Sequence, residues 1–173
     1  RNPVADPRPK EAPLAAAHAR RMFVFLIVLT IASQVGMQGW ITLFNNFAVE
    51  RAGFGGFEVG LVQGVREIPG FLSLLVVYVL LVLPEHRIAA LAVAILGVGV
   101  GLTGLFPSFW GLVATTLIMS FGFHYYETVN MSLTLQYFDK GTAPLVFGRL
   151  RSVTGISNIC VGLTVLGASR VMD

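Results

Sequence analysis

Apolar residues in this chain do not alternate with polar ones. They run in five long blocks, at residues 22–44, 57–83, 88–106, 111–137 and 145–167. A helix of about 20 apolar residues spans the ~30 Å hydrocarbon core of a bilayer, so each block predicts one crossing. Short polar segments separate the blocks, at 45–56, 84–87, 107–110 and 138–144, with Pro84 and Pro107 as stops. Residues 1–21 are rich in Pro, Ala and charge, have no apolar period, and predict a flexible tail. The expected fold class is an all-α membrane protein, a polytopic transmembrane helix bundle, with 22–173 as one five-helix domain. The first block runs past the length of a signal-peptide core and shows no clean small-x-small site, so it reads as a true span.

Polar positions inside the blocks fall on stripes. In the first, Thr30, Gln34, Gln38 and Asn45 share a helical face, and Trp40 is expected near the outer interface. In the second, Gln63, Arg66, Glu67 and Gly70 form a polar patch, and Pro69 predicts a kink. Helix neighbours point about 100° apart, so Arg66 and Glu67 are expected to find their main partners elsewhere. Gly56, Gly60 and Gly64 recur every four residues, a smooth ridge for another helix. The third block carries no charge, and its Gly97 and Gly101 read as a packing motif. In the fourth, Ser120, His124, Glu127, Met131 and Thr134 share a face, with Tyr125, Tyr126 and Asn130 nearby. In the fifth, Arg151, Thr154, Asn158 and Gly162 align.

A charge near the bilayer centre costs at least ~2.5–3.5 kcal/mol, so such residues face protein or a wet cavity. The economical arrangement puts helices one, two, four and five around a shared polar cavity, with the third at the periphery. At a rise of ~1.5 Å per residue, Arg66 lies ~14 Å from the outer end of its helix, level with Gln34 and Asn158. Glu127 falls lower, near Arg151. The expected substrate-binding residues are Gln34, Gln38, Gln63, Arg66, Asn158, Tyr126 and Asn130. Glu67, His124, Glu127 and Arg151 are expected to couple protons or to gate, Glu127 pairing with Arg151 as a lock.

Composition agrees with a membrane protein. The 173 residues are 55% hydrophobic and 12% charged, against about 25% charged in a soluble domain. Lysines and arginines gather on one side of the predicted bundle, in the tail, at Arg87, and at Lys140, Arg149 and Arg151. Arg51 and Arg170 fall on the other, so the N-terminus is expected in the cytoplasm. The single cysteine, Cys160, excludes an internal disulfide and reads as a packing residue. His124-x-x-Glu127 has metal-ligand spacing but no second such pair, so neither metal nor other cofactor is expected. No basic–aromatic constellation suggests nucleic acid. No evident nucleophile or full metal set accompanies His124 and Glu127, so an enzyme is not expected.

The short 84–87 turn, the basic approach to the fifth helix, and the run Val59-Gly60-Leu61-Val62-Gln63 through Ile68-Pro69-Gly70 carry a family likeness. In these features the chain resembles the N-terminal half of a major facilitator superfamily transporter, over about residues 20–167. Glu85 and Arg87 loosely echo the family's charged cytoplasmic loop. The arginine-led fourth-helix motif and the Gly-Pro signature of the fifth are missing, so substrate class and coupling direction do not transfer. The resemblance implies two six-helix halves, and hence that this chain is a fragment whose missing C-terminal half completes the cavity. The expected function is secondary active transport of a small polar or anionic solute, proton-coupled, by alternating access in a bacterial inner membrane. The alternative is a non-transporting integral membrane subunit or assembly protein whose buried charges bind a partner helix.

Overall fold

A computed structural model describes the backbone of residues 11–172 and the side chains of 17–171. Its secondary structure is wholly helical: α1 (Glu11–Ala52), α2 (Gly56–Arg66), α3 (Ile68–Leu72), a 3₁₀ turn (Ser73–Leu75), α4 (Val76–Leu80), α5 (Glu85–Thr103), α6 (Phe109–Tyr137) and α7 (Ala143–Met172). Four stretches are long and apolar enough to cross a membrane: 17–52 in α1, 56–80 from α2 to α4, 85–103 in α5 and 143–171 in α7. The predicted fourth span forms as α6, but at 29 residues it is long enough and too polar to qualify. Its polar residues are sheltered by neighbours instead, with Thr115, Thr116, Ser120 and Thr134 all buried.

The helix borders correct the expected tail. α1 begins at Glu11, so 11–21 continues the first helix, while 1–10 lies outside the described residues. The reason is local: Ala15, Ala16, Ala17, Ala19, Arg20 and Arg21 are strong helix formers, and Pro13 falls in the first turn, where its missing N–H is tolerated. α1 ends where Gly53 turns into the left-handed region at φ 68°, letting Phe54 N–H reach the Ala48 carbonyl at 3.0 Å. Ser108 starts α6 by accepting the Gly111 N–H at 3.2 Å.

α6 is the axis of the fold. α5 lies along one of its sides, α2 and α3 pack on another, and α1 packs on α5 and α7. The α5–α6 seam is close because Gly99 sits on the Met119 backbone and Gly122 on the Leu96 backbone. A Cβ at Gly99 would lie 2.6 Å from Met119 Cα, and one at Gly122 2.8 Å from Leu96 Cα. The expected packing glycines are not the ones used. A Cβ at Gly97 or Gly101 would meet nothing within 4 Å, and the same holds for Gly56, Gly60 and Gly64. Gly97 and Gly101 each lie two residues from Gly99, about 200° round the helix, on the face turned from α6. The ridge on α2 is open along the described bundle.

Two apolar clusters fill the interior. Leu26, Ala89, Ala92, Tyr126, Val129 and Leu133 anchor one. Trp40, Phe44, Val62, Leu96, Leu112 and Met119 anchor the other. Trp40 therefore belongs to the core, stacked on Phe44 at 4.2 Å, and not to an outer interface. The interface reading fails because α1 extends well past Trp40 to Ala52.

Candidate functional site

Two polar centres flank α6. The first is the break in the second span. Pro69 has no N–H and its ring cannot share a helix with the carbonyl four residues back, so the helix ends at Arg66 and restarts at Ile68. Gly70 N–H turns to the Glu67 carbonyl at 3.0 Å, a tighter bond than a regular turn makes, which leaves the Arg66 carbonyl open. Hydroxyls take up the carbonyls of this irregular stretch. Ser120 donates to Arg66, Ser73 to Gly70 at 2.7 Å, and Tyr125 to Leu72 at 3.4 Å. Side-chain satisfaction of this kind is what makes a broken helix tolerable at membrane depth.

The charges at this break pair with each other, against expectation. Arg66 Nη2 and Nε donate to Glu67 Oε1 at 2.8 and 3.0 Å. Cβ directions 100° apart do not keep a long arginine arm from folding back over a neighbour whose side chain is half exposed. The guanidinium also lies 5.9 Å from the centre of the Trp40 ring. His124 packs across Gly70, where a Cβ would stand 3.1 Å from the ring, and it lies in the fields of both Glu67 and Arg66. Gly70 is thus the glycine that the break requires.

The second centre is a pocket of about 80 Å³ between α1, α6 and α7, lined by Thr30, Glu127, Asn130, Phe147, Arg151 and Thr154 among others. Its volume suits a few waters or one very small solute. Glu127 and Arg151 face it together but form no direct ion pair, unlike Arg66 and Glu67. The expected lock is therefore open. The Asn130 side-chain oxygen is buried without a partner.

The remaining expected site residues are scattered. Tyr126 is fully buried and its hydroxyl is bound to Thr30 Oγ1 at 2.8 Å, so it supports the wall from behind. Gln34 is buried on α1. Gln38 turns to Thr42 on its own helix at 3.3 Å, and Gln63 reaches Asn45 at 3.4 Å. Asn158 has a buried, unpartnered side-chain oxygen on α7. Arg66 engages Glu67 and Trp40 and not Gln34 or Asn158, so the expected midplane trio does not assemble. The second span contributes no residue to the pocket, which lies between α1, α6 and α7. Trp40 and Ser73 carry roles the periodic stripes did not show. Their signal is position: one precedes the break in space, the other in sequence follows it by one turn. No group of three or more metal-ligating side chains forms among the described residues.

Comparison with protein-family models finds no match, and comparisons with curated proteins and with solved structures likewise find none.

Proposed function

We propose that this chain is one half of a secondary transporter of the major facilitator kind, moving a small polar or anionic solute by alternating access with protons. The observation that carries this reading is the pocket at Glu127, Asn130 and Arg151. Opposite charges and an unpartnered amide face one open volume from two helices, with Thr30 of a third. A structural helix contact would close such groups on one another, because unpaired buried polar groups are costly. The broken second span adds support, since discontinuous helices at the midplane recur where transporters bind ions and solutes.

In this reading, the pocket holds the solute and the helix break carries the proton. His124, packed across Gly70 at the break, is the proton carrier in this reading. The gathering of Arg20, Arg21, Arg87, Lys140 and Arg149 toward one side supports a cytoplasmic N-terminal side, in this reading within a bacterial inner membrane. A second six-helix half would close the pocket from the side that α7 leaves open.

The exposure of α7 favours a second reading, a membrane subunit whose polar face binds a partner helix; Ile156, Ile159 and Leu163 are all largely uncovered. Thiol accessibility separates the two. Single cysteines at Thr30, Asn130 and Thr154, with the exposed Cys160 replaced by Ser, are treated with a membrane-impermeant reagent from each side. Transport requires labelling of all three positions from at least one side. Silence from both sides, in protein that still assembles, removes the transport reading in favour of the subunit.

A further inference from the structure

The pocket also constrains the solute. Resting on the transport reading, we propose that it takes a compact zwitterion, a molecule carrying an ammonium and a carboxylate a few atoms apart. Glu127 on α6 and Arg151 on α7 line the same 80 Å³ volume, yet no direct ion pair joins them. Among the described residues, neither side chain makes a hydrogen bond to a side chain or backbone group elsewhere, in contrast to Glu85, which accepts from Ser132 at 2.8 Å. Asn130 adds an unpartnered amide oxygen, an acceptor, and Thr30 and Thr154 add hydroxyls.

This set is complementary to a dipolar guest. An ammonium directed at Glu127 and the Asn130 oxygen meets two acceptors. A carboxylate directed at Arg151 meets a planar donor fork. A simple anion would satisfy Arg151 and leave Glu127 facing uncompensated negative charge. A simple cation would do the reverse at Arg151. A neutral polyol would satisfy hydrogen bonds but neutralise neither charge. Only a guest with both charges neutralises both walls at once, and the small volume keeps it short.

The test measures binding separately from transport. The detergent-solubilised chain is melted with glycine, β-alanine or γ-aminobutyrate, and with acetate and methylammonium as the matched single-charge halves. A ligand that binds the folded form raises the melting temperature in proportion to its affinity. The expected result is an affinity for the best zwitterion about tenfold or more above either half. Glu127→Gln should keep the acetate response and lose the zwitterion's advantage, and Arg151→Gln should keep methylammonium instead. The double exchange Glu127→Arg with Arg151→Glu should restore the preference, which guards against variants that merely misfold. Equal responses to zwitterion and halves, or a response to acetate alone, overturn the zwitterion assignment. Uptake by vesicles of the complete transporter is read in parallel. Zwitterion binding without uptake would sink the transport reading alone, and uptake of another solute class would sink the zwitterion alone.

Discussion

The two sides of α6 are built to opposite rules. Toward α5, glycine meets backbone: Gly99 and Gly122 bring the helices so close that a single added methyl has no room. Toward α1 and α7, the same helix presents Glu127 and Asn130 to an open pocket with polar groups left unpaired. The closed side gains dispersion contacts along its length, the main source of helix association where the solvent is lipid. The open side forgoes them. Its buried Asn130 oxygen is left unpartnered, at a cost in stability. One helix thus carries both the close-packed seam and the open wall.

That contrast can be broken from the closed side first. Gly122→Val should destabilise the bundle by about 3 kcal/mol, because its side chain meets backbone at Leu96 and Ala92 that cannot swing away. Gly97→Ala, in open space on the outer face of α5, should stay within ~0.5 kcal/mol. Denaturant unfolding in detergent compares them, and equal losses would mean the seam is not where the stability lies. From the open side, Arg151→Gln should leave unfolding within ~0.5 kcal/mol while solute uptake falls by about tenfold or more. A variant that loses both together would erase the distinction between the two sides.

Between these extremes stands the helix break. Ser120→Ala removes the donor to the Arg66 carbonyl and should cost about 1–2 kcal/mol, with increased amide exchange over α3. No change in either would show that another donor takes over. The smallest effect belongs to the loop before α7. There the Thr142 backbone N–H, the Thr142 side chain and the Gly141 N–H hold the Asp139 carboxyl below the usual carboxylate range. Its backbone bonds, 2.8 Å from Thr142 and 2.9 Å from Gly141, are strongest while it is ionised. A depressed folded pKa stabilises above the unfolded value, about 3.9, and the gain disappears as pH falls through the folded value. Amide exchange at Gly141 and Thr142 should therefore be protected near neutral pH and quicken, relative to Asp139→Asn, only in acid.

Much of this was legible in the chain. Block length gave the helices, Pro84 and Pro107 their limits, and Pro69 the interruption, because these depend on local backbone rules. Three-dimensional choices were not legible. Gly97–Gly101 is the better motif on paper, but Gly99 is the residue that meets α6, since rotation of a helix about its axis is set by its neighbours' shapes and not by its own repeat. Arg66 and Glu67 were assigned separate partners on Cβ geometry alone, which neglects the reach of an arginine arm. Glu127 and Arg151 line one pocket without pairing, and that gap depends on how α6 and α7 pack, which leaves no trace in a stripe.

The bond from Ser120 to the Arg66 carbonyl has a consequence for how the protein is made. The two residues are 54 positions apart, so the second span leaves the ribosome well before its hydroxyl partner is synthesised. At that moment it offers the translocon a proline break, an arginine and a glutamate, each charge weighing against lateral release by about 2.5–3.5 kcal/mol at the centre. It enters lipid as a poor substrate, leaning on α1, and is completed only when α6 arrives. The second helix is thus sealed out of birth order, only after α5 and α6 have been made.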